Sequence, residues 1–326
     1  MTHGLARFDF FLNQLQEHLN KAVKEPNPAA WLFVNGSRTP LFMLEALGKL
    51  YSNLHNKNLF TKIKNYFKEL EDILGDIDYY EGYIKEFSIK GDIPASVISF
   101  LQKKKSENEE LLNSTLIEKK WINSKDNRIN KIRKKLKEAE WMEEDQEINA
   151  IKEFYQESIA EINAFYLKTG GKFSDMEEEV HSLRRKLRWL SIYPHALRGS
   201  IQLTDNNSPD EKFTKYLIPE TINSPFNKMP DGGEHRYFLM LEKNNFYALS
   251  WIIAELGKLK DAGLAYEAME EANVNKNHDP DINEGNYPAD LNAESVNKIL
   301  SGASDICRTY FEEQNLEKLV AGVKCD

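Results

Sequence analysis

Cysteine is almost absent from this 326-residue chain: two occur, Cys307 and Cys325, both near the C-terminus. Two such residues cannot form the disulfide framework of a small secreted scaffold, so a reducing, cytoplasmic setting is expected. Long apolar runs are missing too. The most apolar stretch, Phe246 to Leu256, is shorter than the ~20 residues that span a bilayer and is followed by Lys258, Lys260 and Asp261. No membrane span is expected. The opening residues, MTHGLARFDFFLNQLQEHLNKAV, alternate apolar and polar positions at helical spacing. They lack the uninterrupted apolar core of a signal peptide and are expected to be part of the fold. Glycine and proline vanish between Pro94 and Gly170, which excludes the turn-rich pattern of an all-β chain there. Positive charge is also in deficit. The net charge of -9 opposes non-specific binding to nucleic acid or anionic membranes, although a local basic patch can still act because charges more than about 8 Å apart are screened.

What remains is 41% hydrophobic and 29% charged, enough apolar surface for a folded protein of one or two domains. In the stretch free of glycine and proline, Leu111, Leu112, Leu116, Ile129, Ile132 and Leu136 recur at helical spacing, which predicts long helix. Pro26 and Pro28 separate a first helix from one starting near Pro40, and another runs from about Asn58 past Glu86. Thr169-Gly170-Gly171 interrupts the pattern. Ser174 and Glu177 then have the spacing of a capping box before a helix whose seam is Met176, Val180, Leu183, Leu187 and Leu190. Loops are expected over 204–234 and 273–291, and helices over about 238–272 and 293–319. No strand ladder stands out, so the expectation is an all-α fold with long antiparallel helices, divided at about 1–140 and 141–326.

Two segments share a pattern. Tyr66-Phe67 precedes an apolar helical run, Leu74-Gly75 and Asp78; Phe246-Tyr247 precedes another, Leu256-Gly257 and Asp261. Upstream stand Asn35-Gly-Ser-Arg38 and His181-Ser-Leu-Arg184, in the same order. Repeated order suggests two similar helical bundles related by a pseudo-two-fold axis.

Charge clusters supply the candidate site. His181, Arg184, Arg185 and Arg188 gather within two helical turns, with Lys186 and Arg198 nearby. Arginine's planar fork matches phosphate oxygens, so this face suits a phosphate-rich anion. The structural alternative is that Glu177, Glu178 and Glu179 pair with these arginines at i,i+4 spacing on a solvated face. A second tract, Lys125 to Lys137, carries Arg128, Lys131, Arg133, Lys134 and Lys135 opposite Ile129, Ile132 and Leu136. It could line the same groove, or be a soluble helix face.

His-x-x-Arg opening a basic helix, followed by an aromatic-rich helix ending in Leu-Gly-x-x-basic-Asp, resembles the CHAD family, the histidine-containing α-helical domain. The resemblance covers most of the chain. It implies two four-helix bundles around a basic channel that binds inorganic polyphosphate, often alongside a triphosphate-processing enzyme. By this resemblance His181, Arg184, Arg185, Lys186 and Arg188 would contact the anion, with Lys260 in the second motif and Arg38 in the first. This chain has Asn35 where histidine would stand, and no basic residue between Gly75 and Asp78. The implied protein is a non-enzymatic accessory module without cofactor, binding polyphosphate or another polyanion but not specific nucleic acid. Its alternative is a scaffold that keeps the fold and binds a protein partner.

Other patterns are weaker. Asp279 to Gly285 has alternating oxygen ligands, but its glycine falls one place late for a calcium loop and Asp290 stands where glutamate is needed. His181, His195, His235 and His278 lack the close pairing of zinc enzymes, and no phosphate-cradling loop or nucleophile elbow is present. Trp251 and Phe246-Tyr247 lie in an apolar helical run, as core residues would.

Overall fold

The computed structural model describes residues 3–90, 93–125, 127–205, 210–274 and 293–325. The chain divides into two compact units. The first contains Met1–Lys49, Asn58–Trp141 and Leu264–Ala293; the second contains Leu50–Lys57, Met142–Gly263 and Glu294–Asp326. The calcium-like pattern around Asp279 to Asp290 and His278 lies outside the described residues.

Helices come first in the chain: α1 (His3–Ala22), α2 (Pro28–Val34), α3 (Arg38–Leu54), α4 (Lys57–Lys90), α5 (Ala95–Glu118) and α6 (Arg128–Lys137). In the first unit, Phe8, Leu12, Leu15 and Leu19 of α1 and Phe60, Ile63, Phe67 and Leu70 of α4 are buried at three- and four-residue intervals. Trp141 closes this core, its ring 6.1 Å from Phe8 and 5.7 Å from Phe60. Asn113 on α5 fixes the start of α2, accepting from Ala29 N at 2.9 Å and donating to the capping Asn27 at 2.9 Å. A further cluster joins Phe87, Val97 and Leu101 to Ala268 and Met269.

The expected long helix between Pro94 and Gly170 is three helices, the third being α7 (Glu144–Lys168). The first break is a Schellman cap without glycine. Lys120 takes the left-handed conformation at φ 62°, its N–H donating to Ile117 O, while Trp121 N donates to Leu116 O at 2.8 Å. Burial of the Trp121 ring, 5.9 Å from Phe67, favours a conformation that glycine would otherwise take. Asn127 then caps α6 by accepting from Asn130 N at 2.9 Å.

The second unit holds α7, α8 (Ser182–Ala196), β1 (Ile201–Leu203), the single turn α9 (Pro219–Ile222), β2 (Tyr237–Leu241), the start of α10 (Lys243–Val274), α11 (Ala293–Glu312) and β3 (Val320–Cys325). A small mixed sheet therefore corrects the all-α expectation. Its order is β1-β2-β3, with β1 and β2 parallel and Leu239 opposite Ile201, and β2 and β3 antiparallel and Leu239 opposite Val323. Residues 237–241, Tyr-Phe-Leu-Met-Leu, are one continuous apolar run leading into another, and such a run has no period that separates strand from buried helix. The last helix ends at Glu312 rather than near Leu319, because Gln314 takes the left-handed conformation at φ 56° and turns lead on to β3 at Val320. The expected capping box is displaced by one residue: Asp175 accepts from Glu178 N at 2.6 Å, and Glu179 accepts from Ser174 N at 2.6 Å and Asp175 N at 3.2 Å. The turn it starts, Met176–His181, is π-helical and leads directly into α8.

Candidate anion-binding surfaces

In the first unit, α6 is held by its apolar side. Ile129, Ile132 and Leu136 are buried, and Arg133 donates to Asp9 at 2.9 Å and to Asn13 at 2.6 Å on α1. That fixes the other side of the helix. Arg128, Lys131 and Lys135, at spacings of three and four, line one groove with Leu59, Lys62, Ile63 and Tyr66 of α4. The α4 residues themselves recur at three- and four-residue intervals, so two complementary stripes meet along about 10 Å of helix.

Arg128 is pre-organised. Its Nε donates to Lys119 O at 3.1 Å, and its guanidinium lies 4.3 Å from the centre of the Tyr66 ring. Among the described residues no carboxylate pairs with Lys62, Arg128 or Lys135. Four cations thus border an aliphatic floor made by Leu59, Ile63 and Ile132. Among the described residues no carboxylate offsets the repulsion between Lys62, Arg128 and Lys135, which is the electrostatic condition for anion binding.

The second unit treats its basic helix differently. Arg184 is largely buried: its Nε donates to Ile253 O at 3.0 Å, and burial lowers its pKa despite the nearby Asp261 carboxylate. The guanidinium lies flat on Gly257, where an added Cβ would stand 3.0 Å from its terminal nitrogen. His181 Nδ1 lies 2.6 Å from Glu177 Oε2. Burial, reinforced by the Lys260 and Arg185 charges, nevertheless holds the imidazole below its usual range. Lys260 is 3.3 Å from Asp261, Lys186 leans over the Phe165 ring at 5.4 Å, Arg185 is exposed and Arg188 half-buried. The expected pairing of the preceding glutamates with the arginines is not seen: Glu177 meets His181, and Glu179 turns back to cap the helix.

Arg38, in the first unit, repeats one feature of Arg184. It lies against a glycine, Gly75, where an added Cβ would stand 2.9 Å from its terminal nitrogen. Its charge is met by two carboxylates, Glu71 at 2.8 Å and Asp78 at 2.7 Å. Arginine against glycine is thus common to the two matched sequence patterns, but the partners differ: Arg38 pairs with Glu71 and Asp78, whereas Arg184 donates to the Ile253 carbonyl.

Sequence reasoning placed Arg128, Lys131 and Lys135 but missed Leu59, Lys62, Ile63 and Tyr66. Their stripe is visible as a helix period; that it faces α6 is not. Of the histidines set aside, His195 Nε2 lies 2.9 Å from Phe226 O and His235 Nδ1 lies 3.3 Å from Glu144. Trp251 packs 5.1 Å from Tyr216, and Phe246 is fully buried. Among the described residues no helix is long and apolar enough to cross a membrane. Compared with known proteins, the chain matches no family model, no curated protein and no solved structure.

Proposed function

We propose that this chain is a non-enzymatic module that binds a phosphate-rich anion, inorganic polyphosphate being the first to test, in the groove between α4 and α6. The observation that carries the reading is the convergence of Lys62, Arg128, Lys131 and Lys135, three of them without a carboxylate partner among the described residues. The groove is lined by no histidine, carboxylate, serine or cysteine, and its polar side chains are three lysines, one arginine and Tyr66, a set suited to holding an anion. The reading includes kinship with the CHAD family as two related halves. Its support is the repeated placement of Arg38 on Gly75 and Arg184 on Gly257, each with an aspartate following the glycine. In this chain the arginines of that motif hold helices together, and α6 supplies the open cations.

Titration of the purified protein with long-chain polyphosphate at low and physiological salt tests the assignment. Lys131→Glu/Lys135→Glu is expected to weaken binding at least about tenfold, or 1.4 kcal/mol, and salt to weaken it in the unaltered protein. Equal loss in an Arg185→Glu/Arg188→Glu protein, with the α6 variant unaffected, would move the site to α8. The scaffold alternative is favoured by Ile222 and Phe226, 44% and 61% exposed around one short turn of the second unit. Recovery of a stoichiometric protein partner that Phe226→Ser abolishes, with no polyphosphate binding, would establish it.

A further inference from the structure

The groove has an aliphatic floor as well as a cationic border, and an inorganic phosphate chain makes no use of that floor. Ile63 and Ile132, each 1% exposed, lie beneath it and half-buried Leu59 gives it apolar surface, while Lys62, Arg128, Lys131 and Lys135 stand around them with their aliphatic stems. A chain carrying charge on every unit would set oxygen against these side chains and lose hydration there without a hydrogen bond in return. A ligand with charge at one end and hydrocarbon at the other would satisfy both parts, with Arg128 and the lysine ammonium groups holding the head and Leu59 with the lysine stems covering the body. The body is aliphatic rather than aromatic: the ring in the groove, Tyr66, already has a face covered by the Arg128 guanidinium at 4.3 Å. Resting on the anion-binding reading of this groove, we propose that its ligand is an alkyl phosphate, a phosphate head group joined to a hydrocarbon chain.

The test uses the full chain and octyl phosphate below its micelle-forming concentration. Inorganic phosphate, inorganic triphosphate, adenosine monophosphate and neutral octyl glucoside serve as comparisons. Octyl phosphate is expected to bind at least about tenfold tighter than inorganic phosphate or octyl glucoside. Leu59→Ser is expected to remove that advantage while leaving triphosphate binding in place, which also shows that the variant is folded. Lys135→Gln should weaken octyl phosphate and triphosphate alike. Adenosine monophosphate binding as tightly as octyl phosphate would overturn the aliphatic assignment. Triphosphate binding lost on Lys131→Glu/Lys135→Glu, with octyl phosphate no better than phosphate, would overturn the inference and leave the anion reading intact. If no anion binds, both fall. Phosphatidylcholine vesicles containing phosphatidic acid separate the sources: their capture alongside octyl phosphate assigns the head group to a lipid, and capture of free octyl phosphate alone assigns it to a soluble amphiphile.

Discussion

Two helices of this protein carry cations at the same spacing and use them in opposite ways. Arg128, Lys131 and Lys135 on α6 and His181, Arg184 and Arg188 at the start of α8 both occur at i, i+3 and i+7. On α6 the stripe borders a groove. On α8 its central arginine is packed against Ile253 and Gly257, and its histidine leans on Glu177. Spacing gathers charges on a face. Whether the face receives a ligand or locks two helices together depends on what is packed against it.

That difference makes stability the sharpest discriminator. Arg184→Met removes a charge-assisted hydrogen bond to the Ile253 carbonyl and the guanidinium packed on Gly257, so a loss of about 3 kcal/mol is expected in denaturant unfolding. Lys135→Met should change stability by no more than about 0.5 kcal/mol while weakening anion binding. Equal stability losses in the two variants would mean that α6, too, is a structural clamp.

A smaller effect separates the α6 groove from the rest of its own unit. Glu45 on α3 is 6% exposed, and among the described residues no hydrogen bond reaches it. It faces Lys68, Glu71 and Asp72 on α4 and Lys49 on its own helix. Burial, with the Glu71 and Asp72 charges added, raises its pKa to about 7. The folded chain therefore keeps a proton that the unfolded chain loses near the ordinary glutamate value of 4.5. Stability should fall as pH rises from that value to about 7 and stay level above it, by about 2 kcal/mol in all. Glu45→Gln should flatten that decline and leave anion binding on α6 unchanged. A decline that persists in the variant would place its cause elsewhere.

The smallest effect lies in the α8 stripe itself. Because burial outweighs Glu177, His181 is expected to titrate below 6.5 in NMR and to be neutral at physiological pH. The lowered value means that its contribution to stability is present above 6.5 and is lost as pH falls below it. Titration at or above 6.5 would make α8 more cationic than described and bring the two helices closer in character.

Much of this organisation was legible in the sequence. Helix periods located α1, α4 and α8, and the basic tract Lys125 to Lys137 contained Arg128, Lys131 and Lys135. The break at Lys120 was hidden because the cap that ends α5 has lysine at the position glycine commonly marks, with Trp121 burial supporting it. Strand β2 was hidden because an apolar run with both faces covered has no alternation. Lys62 and Tyr66 were hidden for another reason: a helix period shows that residues share a face and carries no information about which helix lies opposite.

By itself the sequence determined the helical character of the chain, its few covalent constraints and the grouping of cations into stripes, because these depend on neighbours within a few residues along the chain. Only the tertiary structure decided which stripe stays open. The Arg184 guanidinium is covered through contacts with Ile253, 69 positions away on α10, and with Gly257, and the α6 cations meet an α4 face more than 60 positions earlier. Burial and electrostatic pairing act between groups close in space, and it was folding that brought these groups together.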